Sequence, residues 1–164
     1  MLVLTAAGGD RMAFSRDDNS GFATQDRVVR RLERMLRGHC ALRGGDIWQN
    51  DLLWGSTRNE QDDSVPDRLL FVRRERAVDS QGVRLPPDLI VQVLPIHGRR
   101  EIRRDYYVDL GWAFEYWAID FRSDTVTQWG DQGPSEVRAG STVVSVAILG
   151  LDLPVSDLLQ LAGP

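Results

Sequence analysis

The sequence predicts a mixed α/β fold, a central sheet flanked by helices, on three observations. Residues 24–37 repeat their apolar positions at helical spacing. The segments "PDRLLFV" and "PDLIVQVL" carry nearly continuous apolar runs and read as strands buried on both faces. "EYWAIDF" and "TVTQW", separated by "RSD", read as two strands joined by a short hairpin loop. Strands of this kind interleaved with helices indicate a layered α/β sandwich.

The elements follow in order. Residues 2–6 and 12–15 suit a first hairpin around "GGDR". Thr24 is the expected N-cap of a helix that runs to about Arg37 and ends at Gly38. Val28, Val29, Leu32, Met35 and Leu36 form its apolar stripe. Arg27, Arg30, Arg31, Arg34 and Arg37 cover the remainder, as a solvated face or a surface for phosphate. "DIWQNDLLWG" suggests a strand and "STRNEQDDS" a polar loop. Residues 99–110 read as a helix, with Gly111 just past its end. "STVVSVAIL" reads as an edge strand, and Ser156 as the cap of a short last helix, "DLLQLA".

The totals bound the function. The 164 residues suit one domain, 1–164. No apolar run approaches the roughly 20 residues that span a membrane. "MLVLTAA" is too short for a signal peptide core and lacks a basic flank, so a cytoplasmic location is expected. Cys40 is the only cysteine, so no internal disulfide forms. A zinc site would need Cys40, His39 or His97 and carboxylates to converge; a buried Cys40 and a surface His39 are the expectation instead. All 20 basic residues are arginine. Chemistry that needs a lysine amine is therefore excluded, because arginine neither gives nor takes a proton near neutral pH. The formal charge of −4 argues against tight DNA binding, although a local arginine patch can outweigh it.

One residue breaks the apolar pattern. Gln92 lies inside "DLIVQVL", where an unsatisfied buried amide would cost about 1–3 kcal/mol. If the two "PD" strands are neighbours, Asp67 and Gln92 can point to one side of the sheet. Asp88 is excluded from that pair, because four residues along a strand span about 13 Å. The helix expected at 99–110 brings Arg99, Arg100, Arg103 and Arg104 back over the same sheet end.

"PDRLLFV", "PDLIVQVLP", "YYVDLGWAFEYWAID" and "LGLDLPVSDLL", in this order and spacing, resemble the Uma family of putative restriction endonucleases, in the PD-(D/E)XK nuclease superfamily. The resemblance covers about residues 24 to 161. It implies a restriction-endonuclease-like mixed sheet flanked by helices and metal-dependent hydrolysis of DNA phosphodiesters with Mg²⁺ or Mn²⁺. The family's metal-holding aspartate matches Asp67. Its "VVEV" glutamate falls on Gln92, and its helix lysine on Arg103, four residues before Tyr107. Glu115, Tyr116, Trp117 and Asp120 match its "EYW…D" residues. The acidic residue that the family carries ahead of its first long helix has no placed counterpart.

The departures matter chemically. Metal-assisted hydrolysis uses anionic oxygens, a positioned water and positive charge near the phosphate. Gln92 offers a neutral carbonyl oxygen, and Leu94 stands where some branches of the superfamily place lysine. Arg103 can bind phosphate but cannot relay a proton. The set is thus a degraded one: Asp67 and Gln92 for a weakly held metal, Arg103 for phosphate, and Arg99, Arg100 and Arg104 for nucleic acid. A hydrogen-bonded structural amide is the other reading of Gln92, and the two are compatible. Tyr106, Tyr107, Trp112, Phe114, Tyr116 and Trp117 read as packing. The alternatives to a weakened nuclease are an inactive module that binds nucleic acid or a partner protein, and a module for self-association as a homo-oligomer.

Overall fold

A computed structural model describes residues 16–49, 68–81, 85–95, 102–109, 111–112, 115–130 and 132–160. The first helix, α1 (Arg16–Ala41), is followed by three strands, β1 (Asp46–Gln49), β2 (Leu69–Arg73) and β3 (Leu89–Val93). A short helix, α2 (Arg104–Asp109), precedes β4 (Glu115–Asp120), β5 (Thr125–Gly130) and β6 (Gly133–Arg138). A small hairpin, β7 (Thr142–Val144) and β8 (Asp152–Pro154), leads into α3 (Val155–Gln160). The first expected hairpin, at 2–6 and 12–15, lies outside the described residues.

The six strands β1 to β6 lie in sequence order in one sheet. All neighbours are antiparallel except β3 and β4, which are parallel and joined through α2. This is the mixed sheet flanked by helices expected from the sequence. Two parallel neighbours require a crossover connection, and α2 supplies it.

Alternation along the strands sorts the core into two layers. On one face Leu70, Val72, Leu89, Val91, Val93, Trp117, Ile119 and Val126 pack against Val28, Val29, Leu32 and Leu36 of α1 and against residues 143–158. Full burial of one such leucine contributes about 1.5–3 kcal/mol. On the other face Leu69, Phe71, Ile90, Leu94, Tyr116 and Ala118 pack with Trp48 and with Tyr107 of α2. Asp26 at the start of this docking surface pairs with Arg68, 2.8 Å away, and Gln25 Nε2 donates to the Val93 carbonyl at 2.8 Å. These two contacts tie α1 to the β2–β3 end of the sheet.

Four boundaries differ from the expectation. Helix α1 begins before Thr24 and continues through Gly38, because the apolar stripe runs on from Leu36 to buried Cys40. It ends in a Schellman turn: Gly44 has φ 75°, and Gly45 N donates to the Cys40 carbonyl at 3.0 Å. Ile102 and Arg103 are not helical, since the Arg103 N–H turns back to the Gln92 side chain. Ser156 lies inside α3 rather than capping it; Val155, whose N–H bonds to the Ser141 carbonyl at 2.9 Å, opens that helix.

"STVVSVAIL" also departs from the expected edge strand. Only Thr142–Val144 is extended, in the separate β7–β8 hairpin, and residues 145–150 form a loop. Among the described strands, the sheet edge next to β5 is β6, "GPSEVR".

Candidate active site

Gln92 sits near the end of β3, opposite Leu69 of β2 and Ala118 of β4. Its side chain faces the aromatic layer and is 3% exposed. Gln92 Oε1 accepts a 2.6 Å hydrogen bond from the Tyr116 hydroxyl and a 3.3 Å bond from the Arg103 backbone N–H. A carbonyl oxygen has two lone pairs, so both are engaged. Tyr116 is held in turn by rings on two sides: Tyr107 stacks at 6.5 Å, and Trp129 meets it edge-on at 5.9 Å.

The structure thus brings Gln92 to the residue just ahead of α2, as the sequence order suggests, and adds Tyr116. Sequence reasoning matched this tyrosine to the "EYW…D" motif and read it as packing. Its link to Gln92 follows from the parallel β3–β4 register, in which Ile90 lies opposite Tyr116, one step along the same face. Arg103 is half-buried beside this cluster. Arg104 makes a 2.8 Å ion pair with Asp105. Asp67, Arg99 and Arg100 lie outside the described residues. Strands β2 and β3 are antiparallel neighbours, with Gln92 opposite Leu69.

The described residues do not suit a divalent metal. None of them form a group of three or more histidine, cysteine, aspartate or glutamate side chains able to hold one. Gln92 Oε1 would have to give up the Tyr116 or the Arg103 bond to reach an ion. Leu94, two residues on, is buried in the aromatic layer and offers no charge. Asp120, which closes β4 two residues beyond Ala118 at the Gln92 end of the sheet, has Oδ1 bonded to the Arg122 N–H at 2.9 Å across the hairpin turn. Asp88 Oδ2 accepts from Arg74 N at 2.9 Å at the opposite end of β3.

The chain was compared with known proteins. No family model matches it, and no curated protein does. Among solved structures it is similar to one from Anabaena variabilis described as "a putative nuclease belonging to DUF820". The identity is 13%, the match covers 85% of this chain and 82% of that one, and the TM-score is 0.62. The two chains share a fold.

Within this fold, a second polar group buried in the sheet has a structural task. Glu115, the first residue of β4, is 1% exposed and points to the α1 side. Its Oε1 accepts from Trp117 Nε1 at 2.6 Å and Gln128 Nε2 at 2.5 Å. Its Oε2 accepts from Ser145 Oγ at 2.6 Å and from the Val146 and Ala147 N–H groups at 3.0 Å each. One carboxyl group thereby pins the 145–147 loop to the sheet. Its neighbour in sequence, Tyr116, serves the opposite face.

Cys40 is buried as expected, and burial, followed by the nearby Asp46, pushes its thiol pKa up. It is therefore protonated at neutral pH and suited neither to nucleophilic chemistry nor to metal binding. His39 is half-buried and bonded to Arg43 through Nδ1 at 3.2 Å.

No described helix is long and apolar enough to cross a membrane.

Proposed function

We propose that this chain is a restriction-endonuclease-like nuclease relative in which metal-dependent hydrolysis of DNA is very slow or lost. The observation that carries this reading is Gln92. The position that the family resemblance gives to an anionic ligand holds a neutral amide, and that amide's oxygen already serves Tyr116 and Arg103. The similarity to a nuclease-fold structure supports the ancestry, and the absence of lysine from the chain supports the chemical loss. General acid–base help is worth about 10²–10⁴-fold in rate, so its loss alone takes turnover far down.

The test is plasmid nicking with Mg²⁺ and with Mn²⁺. The natural chain is expected to show no cleavage above background. Gln92→Glu with Arg103→Lys restores a carboxylate and an amine at little change in volume, and is expected to strengthen Mn²⁺ binding measured calorimetrically. Adding Asp67→Ala should remove that gain. Brisk cleavage by the natural chain, unaffected by Asp67→Ala, would refute the assignment.

A further inference from the structure

The outer face of α1 concentrates positive charge in a chain whose net charge is −4. At about 100° per residue, Arg27, Arg30, Arg31 and Arg34 fall within an arc of about 100°. That arc lies opposite the stripe of Val28, Val29, Leu32 and Leu36 that packs on the sheet. The two acids of this stretch, Asp26 and Glu33, sit together on one flank, and both are engaged. Asp26 pairs with Arg68 at 2.8 Å, and Glu33 is bonded to Arg37 and Gln49. Arg31 is half-buried, whereas Arg27, Arg30 and Arg34 are exposed. Among the described residues Arg27 and Arg30 are in no ion pair, and Arg34 spends only its Nε, on the Arg30 carbonyl at 3.4 Å. Three guanidinium groups are thus open to an outside partner along about 10 Å of helix.

The chemistry of this face narrows the partner. It is open and convex, and an exposed pair with one small anion is worth little. A ligand that repeats its negative charge gains from all three groups at once. Between Arg27 and Arg34 the arc holds no apolar or aromatic anchor, whereas the centre of a protein interface is depleted in charge and built on such anchors. The apolar half of the helix is committed to the core, so no face is left to enter a membrane. A phosphodiester backbone needs neither an anchor nor a groove. Each strand of a duplex repeats a charge about every 3.4 Å, so about 10 Å of helix faces about three phosphates of one strand. Guanidinium forks match phosphate oxygens.

We infer that the outer face of α1 is a surface for the phosphate backbone of duplex DNA, held by Arg27, Arg30 and Arg34 without reading sequence. It is separate from the candidate active site, because α1 covers one side of the sheet and the Gln92 side chain faces the aromatic layer on the other. The inference stands on charge and geometry and does not depend on hydrolysis.

The test measures binding of the full chain to a fluorescent duplex by anisotropy across a salt series, in EDTA so that no cleavage intervenes. Arg27→Gln with Arg30→Gln and Arg34→Gln should make the log–log slope shallower by about two to three, since each phosphate contact contributes about 0.9. Glutamine is nearly as good a helix former as arginine, so the melting temperature should hold. Arg27→Lys with Arg30→Lys and Arg34→Lys keeps the charges and should keep the slope. Arg76→Gln with Arg122→Gln and Arg138→Gln, exposed elsewhere, removes the same net charge and should leave the slope unchanged. No binding at low salt, an unchanged slope in the α1 glutamine variant, loss of the slope in the lysine variant, or an equal change in the control variant would overturn the proposal. So would displacement of the duplex as readily by polyglutamate, which would point to an acidic protein, or by phosphatidylglycerol vesicles, which would point to a membrane surface.

Discussion

Two buried polar side chains, Gln92 and Glu115, illustrate opposite uses of the same cost. Gln92 accepts two hydrogen bonds at the edge of an aromatic layer, whereas Glu115 accepts five and organises a loop 30 residues on. Glu115→Ala strands those donors in a closed interior. The expected loss is about 3–5 kcal/mol in urea unfolding, since each stranded donor costs about 1–3 kcal/mol and part of the loop relaxes into water. Tyr116→Phe, which removes one bond and keeps the ring, should cost about 1 kcal/mol. His39 supplies a pH test. Burial, then the charge of Arg43, hold its pKa below the ordinary 6.5, against the opposing pull of the Leu149 carbonyl and Asp152. The unfolded chain therefore binds this proton more readily than the folded one. The stabilisation is complete above the unfolded value and is lost as pH falls through 6.5 toward the folded value. Unfolding midpoints should drop across that window, and His39→Gln should flatten the drop. A separate acid limb at lower pH remains. Glu33 contributes to it: burial, the largest influence, raises its pKa, but hydrogen bonds from Arg37 and Gln49 outweigh it and leave the net value lowered.

At the scale of elements, two glycines in and after α1 should respond in opposite directions. Gly38 is helical and exposed, and an added Cβ there meets nothing within 4 Å. Gly38→Ala is expected to stabilise by about 0.5–1 kcal/mol. Gly44 has φ 75°, and Gly44→Ala is expected to destabilise by about 1 kcal/mol through backbone strain. Thermal melts of both variants check the pair of signs. The same two residues show what the sequence makes legible. Glycine is read locally as a helix stop, but whether it stops one depends on the next buried residue, here Cys40. Strands β2 to β5 were readable because their apolar residues face packed layers on one or both sides. Strand β6 was not, because an edge strand such as "GPSEVR" buries too little to carry an apolar signal. "SVAIL" misled for the converse reason: Ala147 and Ile148 fill the core from a loop while Val146 and Leu149 face solvent, and the carboxyl group that shapes that loop is far away in the chain. The candidate site was visible as an anomaly at Gln92. Its tyrosine partner was not, since a parallel register across a crossover leaves no local trace.

At the scale of the whole molecule, charge is distributed unevenly. The chain carries a net −4, yet Arg27, Arg30, Arg34 and Arg37 lie exposed along one helix, and Arg103 and Arg104 cluster at another. Weak binding to duplex DNA, lost steeply with salt, is the expected outcome. The log–log slope should be about −0.9 per neutralised phosphate, and Arg100→Ala with Arg103→Ala should make it shallower. No binding at low salt would mark these arginines as a solvated face. The sheet itself ends deliberately. Strand β6 pairs with β5 on one side only, and its first residues are Gly133 and Pro134, followed by an exposed Glu136–Arg138 ion pair at 2.7 Å. A proline offers no N–H to an incoming strand, and two charges on one face resist being covered. The ragged composition that hid this strand from sequence reading also makes this edge a poor template for another strand.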